Sequence, residues 1–502
     1  MTARTPGTPG KETNTSEESS RGVLDVLAVS LVRALFRQPP RSLAFGVLAA
    51  AAHLGTACGS TGGSFASGSS NPANSLGRSG SVGSSASSSA GASESTGGGA
   101  SVSGSGTASG GSGASASGGS GAASASGGSG AASVSGISND CLPDSKDNVA
   151  ASVNPPGGLA ATRVPMFVMF GFDDNQYADG MNWVVSTLFG GKKNGDASPA
   201  QATFFLTAGY ATSQNGGVFI SEVDQAGMAH QTPQDVMNSW LAAYTAGHEI
   251  GNHTWDHADG GNTRVLSDWQ SEIGKANDFF TNQAPMGLGI PKCQVAGYRF
   301  PFLNFNDTGF QALQLAGLRY DTSIEFGYDW WIPPGMTMGF GGGSPESGKH
   351  YWWPFTLDNG LDPSFGCCSK GVQAHPGLWE FPVHTFNRPD PMNPANVKTV
   401  TGLDYNLWVT KAAVDPALDF CGTLKYSFDQ RYNNNRAPMN VGCHSGIYSQ
   451  WSVTDDMAFG NTYDVRRAAL QCFVDYVLTF PDARVVSFRK VIEWIRNPKP
   501  LR

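Results

Sequence analysis

The chain has 502 residues, with 32 basic against 40 acidic side chains, a formal net charge of −8, and only 14 % charged residues. That length allows two or three domains, and the mild acidity argues against a nucleic-acid partner, which requires a basic face. The averages hide two materials: residues 61–140 hold 22 Gly, 28 Ser and 14 Ala, whereas residues 141–502 hold 50 of the 53 aromatic side chains, including all 12 Trp and all 13 Tyr.

Residues 1–58 read as a leader. Leu43–Leu54 is an apolar run of twelve residues. As a helix it rises about 18 Å, too little to cross a bilayer core of about 30 Å. Arg33, Arg37 and Arg41 precede it and Gly55-Thr56-Ala57-Cys58 follows, which is the layout of an export signal. A Cys after small residues resembles the processing site of bacterial lipoproteins and implies a lipid anchor at Cys58 on an exported protein; an ordinary cleaved signal is the alternative. No other stretch reaches about 18 apolar residues, so no further span is expected. Residues 59–140 carry almost no side chain able to pair or pack, and are expected to stay a disordered Ser/Gly/Ala linker that supplies reach.

From Cys141 onward, strand-like and helical stretches alternate. Met166–Phe172 is a continuous apolar run, the pattern of a strand buried on both faces, and Ala202–Thr207 is a second. Thr232-Pro233-Gln234-Asp235 opens a helix that runs through Val236–Ala246 and stops at Gly247. His248–His253 reads as a strand, Arg264–Asn282 as a helix, Val295–Phe302 as a strand, Asp307–Ala316 as a helix and Tyr320–Ile324 as a strand. Further strands are expected at Trp379–Val383, Met439–His444 and Arg484–Phe488, with helices at Val465–Leu478 and Lys490–Arg496. The alternation predicts an α/β layout with parallel strands and admits a barrel. The Gly-, Trp- and Pro-rich tract from Gly327 to Gly377 reads as a loop covering a site. Trp330, Trp331, Trp352, Trp353 and Trp379 are either sugar-stacking platforms or packing anchors. Seven cysteines follow Cys58, so at least one stays free or pairs between chains.

Active groups in such folds sit at C-terminal strand ends. The first strand ends in Gly171-Phe172-Asp173-Asp174, with two adjacent carboxylates. His253 and His257, four residues apart, share one side of a helical turn and can face one metal. Arg299 lies at a strand end in Tyr298-Arg299-Phe300-Pro301-Phe302, and His444 closes Val441-Gly442-Cys443-His444. A carboxylate and two imidazoles leave metal positions open to water and substrate. A second carboxylate can take the water's proton, and a separate His can protonate a leaving group. Cys443 points away from the face of His444 on an extended strand, which excludes a cooperating thiol–imidazole pair.

Taken in chain order, these fragments resemble the motifs of polysaccharide deacetylases of the NodB-homology type, carbohydrate esterase family four. Phe172-Asp173-Asp174 is similar to the first motif, His253-Thr254 with His257 to the second, Arg299, Pro301 and Phe302 to the third, and His444 to the last. Longer stretches, among them Gln201–Phe205, Tyr320–Ile324 and Gly377–Pro382, resemble the fungal and insect chitin-deacetylase branch, and the likeness runs from Cys141 to Pro498. The resemblance implies a distorted (β/α) barrel with fewer than eight units, making 141–502 the catalytic domain. It implies a divalent metal, usually zinc, on Asp174, His253 and His257. It further implies Asp173 as general base paired with Arg299, the Phe302 N–H as an oxyanion donor, and His444 as general acid. The implied reaction removes N-acetyl groups from polysaccharide containing N-acetylglucosamine. An O-acetyl esterase on xylan-like polymer and a catalytically silent carbohydrate-binding module are the alternatives. Gly171 stands where the family has a hydroxyl residue, which removes one contact near the base, and Gly442 and Cys443 replace bulkier residues at the pocket floor. The family's fourth motif stays open, with Asp321, Asp329 and Asp358 as candidates to hold Arg299 or His444.

Overall fold

A computed structural model describes residues 141–142, 146–221, 229–326, 351–361, 371–390, 393–400, 402–409 and 417–502; the leader with Cys58, the linker, Asp329, Trp330 and Trp331 lie outside the described residues. The strands are β1 (Met166–Asp173), β2 (Thr203–Leu206), β3 (Glu249–Asn252), β4 (Gly297–Tyr298), β5 (Tyr320–Asp321), β6 (Glu325–Phe326), β7 (Phe355–Thr356), β8 (Trp379–Glu380), β9 (Val383–His384), β10 (Phe386–Asp390), β11 (Asn393–Val400), β12 (Met439–His444) and β13 (Ala483–Val485). The helices are α1 (Ala178–Trp183), α2 (Pro233–Thr245), α3 (Leu266–Thr281), α4 (Asp307–Ala316), α5 (Asp404–Leu407), α6 (Gly422–Tyr432), α7 (Val453–Phe459), α8 (Tyr463–Leu478) and α9 (Phe488–Arg496). The main sheet runs β12-β1-β2-β3-β4-β5-β8-β7, with β13 on the first part of the β1 edge that β2 takes further along. Its ladders are parallel except β7 against β8. The sheet curls into the distorted barrel that the sequence leads one to expect.

The period-two pattern explains the two-sided burial of β1. Met166, Val168, Phe170 and Phe172 join an outer cluster with the helices, while Phe167 and Met169 join an inner cluster. On β2, Phe204 and Leu206 face outward and Phe205 inward, against Tyr320, Phe381 and Phe488. The last helix adds Val491, Ile492 and Ile495 to the inner cluster, so the barrel is a packed core rather than a pore. Helix α2 begins with a reciprocal cap, in which the Asp235 N–H donates to Thr232 Oγ1 at 3.2 Å and the Thr232 N–H to Asp235 Oδ2 at 2.8 Å.

Several strands are shorter than their apolar runs. The run Val295–Phe302 keeps only Gly297–Tyr298 as β4, because Pro301 opens a 3₁₀ turn, Pro301–Leu303, in which Phe302 takes φ 58°. The stretch after β5 leaves the ladder where Asp321 takes the Ser323 N–H and hydroxyl. Trp352, Trp353 and Trp379 are 3 %, 1 % and 1 % exposed, so they are packing anchors and not sugar platforms. The described parts of the 327–377 tract likewise enter the core, through Tyr351, Phe355, Leu357 and Val372, instead of covering a site. Disulfides join Cys141 to Cys293 and Cys421 to Cys472, and Cys443 is free and buried; Cys367 and Cys368 lie outside the described residues. No helix among the described residues is long and apolar enough to cross a membrane.

Gly442 on β12 has a structural reason. Its N–H donates to Gly402 O at 2.9 Å and it pairs in parallel with Leu403, whose Cδ2 would lie 1.9 Å from a Cβ at 442. Only a residue without a side chain lets segment 402–404 lie against β12. Gly442→Val is therefore expected to cost about 1–3 kcal/mol through overpacking, measured by denaturant unfolding; unchanged stability would refute the close approach.

Candidate active site

Asp173 is the last residue of β1 and lies on its inner face, and the chain then turns through two left-handed residues, Asp174 at φ 66° and Asn175 at φ 62°. The turn is clamped by Asn175, whose Nδ2 donates to Phe172 O at 2.7 Å and Phe205 O at 3.0 Å. Its carbonyl accepts from Trp240 Nε1 at 2.8 Å. His253 follows β3 directly. His257 does not continue a helix from it, as the four-residue spacing suggested, but sits at φ 53° in a turn with Thr254 at φ 71°. Within that turn the His257 N–H donates to Thr254 Oγ1 at 3.1 Å and the Thr254 N–H to Asn252 Oδ1 at 2.8 Å. The left-handed residues fold the chain back, so the imidazoles still meet, with ring centroids 4.9 Å apart.

Asp174 Oδ1 lies 3.5 Å from His253 Nε2 and 3.0 Å from His257 Nε2, and one ligand atom from each residue falls within 4.8 Å of the others. His253 Nδ1 is 2.7 Å from the Arg299 carbonyl, which can only accept, so the proton is on Nδ1 and the Nε2 lone pair faces Asp174. Asp174 Oδ1 is buried without a hydrogen-bond partner. Two acceptors facing each other across a buried gap are tolerated when a cation lies between them, and a carboxylate with two imidazoles is a donor set for a divalent transition metal. The residues fit a metal. Burial opposes charge on Asp174, but His257, the nearer imidazole, outweighs it and holds the carboxyl well below its usual range. Burial likewise lowers the His257 pKa, and Asp174 more than reverses that.

Beside this triad, Arg299 is buried at 0 % exposure and uses all five of its N–H groups. Nε donates to Thr322 O at 2.9 Å; Nη1 donates to Asp173 Oδ1 at 2.8 Å and Gly171 O at 3.2 Å; Nη2 donates to Thr322 Oγ1 at 3.3 Å and Asn440 Oδ1 at 3.2 Å. A Cβ at Gly171 would stand 2.9 Å from Nη2 and 2.9 Å from Phe205 Cε2, so the guanidinium occupies space that a hydroxyl residue there would contest.

Asp173 and His444 are register partners on β1 and β12. His444 Nδ1 lies 2.8 Å from Asp404 Oδ1, and Asp404 Oδ2 accepts from the His444 N–H and the Tyr448 hydroxyl, each at 3.0 Å. The carboxylate behind His444 is thus Asp404 and neither Asp321 nor Asp358; Asp329 lies outside the described residues. Asp321 is engaged by Ser323, and Asp358 lies in the 3₁₀ turn Leu357–Asn359 near the Gly377 N–H. Burial lowers the His444 pKa, but the charge and hydrogen bond of Asp404, with Asp174 and Asp173, raise it to about 10. The ring is an imidazolium at neutral pH. Cys443, beside it in sequence, packs in the outer cluster, and burial pushes its thiol well above the usual value.

Phe302 donates its N–H to no described residue; the residue is 56 % exposed, with its ring centroid 4.8 Å from that of His257. Sequence reasoning missed Tyr210, on the 3₁₀ turn Ala208–Ala211 after β2, with its ring 6.2 Å from His257. Burial and the Asp174 charge raise its hydroxyl well above the ordinary value, so it stays a neutral donor. A lone Tyr after a strand carries no spacing signal. Six left-handed non-Gly residues gather here: Asp174, Asn175, Thr254, His257, Phe302 and Leu303. Such backbone strain is characteristic of functional sites.

Residues 168–320 match the family model for polysaccharide deacetylase. The chain is 24 % identical over 364 residues to chitin deacetylase 8 of Bombyx mori, covering 72 % of this chain and 77 % of that one. It is 21 % identical over 360 residues to chitin deacetylase 1 of Bombyx mori, covering 68 % of this chain and about half (53 %) of that relative. A solved structure described as a polysaccharide deacetylase from Mycobacterium smegmatis aligns at 14 % identity and a TM-score of 0.39, over 69 % of this chain and 95 % of that one.

The His444–Asp404 pair can be tested without substrate. In the metal-free protein, Asp404→Asn is expected to bring the His444 titration, followed by NMR, from about 10 toward its ordinary value of about 6.5. Because the folded pKa is raised, the pair stabilises the fold fully below about pH 6.5, and that contribution is lost as pH rises through about 10. The stability gap between wild type and variant should close over the same window. An unmoved titration would exclude Asp404 as the cause.

Proposed function

We propose that this chain, a member of the polysaccharide deacetylase family, removes N-acetyl groups from chitin-like polysaccharide containing N-acetylglucosamine, with release of acetate. The observation that carries this reading is the convergence of Asp174, His253 and His257 beside an Arg-held carboxylate and an Asp-held imidazolium. The names of the two Bombyx mori relatives support chitin as the substrate class. When bound on Asp174, His253 and His257, a divalent cation, zinc by preference for this donor set, polarises the amide carbonyl and eases deprotonation of water.

The chain's own groups do the rest. Asp173 has Oδ1 fixed by Arg299, which leaves Oδ2 to accept the proton of the attacking water. The Phe302 N–H, free of intramolecular partners among the described residues, donates to the oxyanion as the carbonyl becomes tetrahedral. Such donors contribute about 3–4 kcal/mol. His444, loaded with its proton and oriented through Nδ1 by Asp404, donates from Nε2 to the departing amine. An amine leaves only when protonated, so an imidazole held in its protonated form by Asp404 suits amide hydrolysis.

The remaining parts of the reading concern placement. Residues 141–502 form the catalytic domain, tethered by the 59–140 linker to a leader ending at the lipidation candidate Cys58. The disulfides Cys141–Cys293 and Cys421–Cys472 support an exported protein, since they persist in oxidising compartments.

Acetate release from N-acetylglucosamine oligomers tests the proposal. Chelator is expected to abolish it and zinc to restore it. Asp173→Asn and His444→Ala are each expected to lower kcat by about 10²–10⁴-fold. Acetate from acetylated xylan alone would favour an esterase, and oligomer binding without acetate a silent module. Full turnover by Asp173→Asn would sink the mechanism.

A further inference from the structure

Two buried carboxyl groups next to the site take no part in the reaction described above. Asp321 ends β5 and Glu380 ends β8, the two are direct partners in the parallel ladder, and both are 0 % exposed. Their sequence neighbours Tyr320 and Phe381 belong to the inner cluster, so by strand alternation the carboxyls share the opposite face of the sheet. Asp321 is engaged as an acceptor on both oxygens, with Oδ2 taking the Ser323 N–H and Oδ1 the Ser323 hydroxyl, each at 2.9 Å. Glu380 Oε1 takes the Ile324 N–H at 3.4 Å, and Oε2 is buried with no donor.

Two ionised carboxylates in that arrangement would repel each other in a low-dielectric interior and leave one oxygen without a donor. One proton removes both faults. Asp321 already accepts from two donors and is the ionised member, so the proton belongs on Glu380, whose spare oxygen can then donate to Asp321. Burial pushes both carboxyls upward, and the Asp321 charge raises Glu380 further.

Ser323 connects this pair to the active site. Having given its hydroxyl proton to Asp321, Ser323 Oγ accepts the Phe300 N–H at 2.7 Å. Phe300 lies between Arg299 and the Pro301–Leu303 turn that carries Phe302. Thr322, between the two acceptors of the chain, takes Arg299 Nε on its carbonyl and Arg299 Nη2 on its hydroxyl. Residues 321–323 are therefore held by the carboxyl pair at one end and hold the 299–302 segment at the other.

We propose that Asp321 and Glu380 form a proton-sharing carboxyl pair, with Glu380 as donor, that positions Arg299 and the Phe302 N–H through Ser323. Both are positioning residues, and the inference rests on the roles given to Arg299 and Phe302 in the proposed reaction. Two independent readouts test it in the full-length protein. Infrared spectroscopy at pH 8 should show the carbonyl stretch of a neutral carboxylic acid that Glu380→Gln removes and Asp173→Asn retains. In kinetics, Glu380→Gln keeps a donor toward Asp321 and should retain kcat within about threefold, whereas Glu380→Ala, Asp321→Asn and Ser323→Ala should each lower kcat on the order of 10- to 100-fold with KM little changed. A merely structural role would lower melting temperature without this split or the rescue by Gln. Absence of the acid band, or equal losses in Glu380→Gln and Glu380→Ala, would overturn the proposal. Should Asp321→Asn fail to fold, Ser323→Ala with kcat unchanged would also overturn it. A wild type that releases no acetate would refute the proposed function, while the acid band would still decide the pair.

Discussion

Arg299 carries a charge it cannot lose into a site closed to solvent, with its guanidinium 4.7 Å from the Phe205 ring centroid and 5.9 Å from that of Phe488. Burying such an ion costs several kcal/mol unless a counter-charge and a complete set of acceptors meet it. Here the counter-charge is Asp173, and the other acceptors come from β1, β12 and the segment after β5. The five bonds therefore tie three separate parts of the sheet to one point. Asn440 extends the same network, donating to Thr322 Oγ1 at 2.6 Å and Pro382 O at 3.4 Å, where no ladder joins β12 to β9 among the described residues. Barrel closure and the orientation of Asp173 thus have a common cause.

The two halves of the centre rest on different backbone. Asp173 and His444 lie in the regular β1–β12 ladder, where their spacing is fixed by register. Asp174 and His257 lie on left-handed residues, held there by Asn175, Asn252 and Thr254. Strain of this kind costs on the order of 1–3 kcal/mol per residue and persists only where surrounding bonds over-determine it. It is placed where the side chains of Asp174, His253 and His257 converge from two strand ends, which straight strands cannot achieve.

Much of the fold was legible, because its cause is local. Met166–Phe172, Asp307–Ala316 and Met439–His444 carry their periods or caps in their own residues, and the structure has elements there. The positions of Asp173, Asp174, His253, Arg299 and His444 at strand ends follow from the same patterns. What was not legible depends on partners distant in sequence. Asp404 reaches His444 from 40 residues away, on a four-residue helix too short to announce itself. His253 and His257 have helical spacing but adopt a turn, since left-handed residues leave no periodic trace. The anchoring role of Trp353 and Trp379 shows only in three dimensions, because the same ring serves a sugar or a core equally well. Helix α6 carries almost no apolar face, and Arg431 on it lies over the Tyr351 ring, so its packing is set by contact rather than pattern.

Asp173 and His444, side by side in the ladder, would ordinarily pair with each other and leave neither free for separate work. Two outside partners keep them apart: Arg299 takes an oxygen of the carboxylate, and Asp404 takes Nδ1 of the imidazole and, with Asp174 and Asp173, raises its pKa to about 10. Each group is thus turned to a partner of its own, which is the separation that the proposed roles of base and acid require. Each outside partner enters where a glycine makes room. Gly171 leaves the volume that the Arg299 guanidinium fills, and Gly442 admits Leu403 and with it Asp404. These are two of the positions where the chain departs from the family pattern. Rather than gaps in the pocket, they are the entry points of the two ion pairs, so a methyl group added at either would reach the chemistry through a charge without touching a reacting atom.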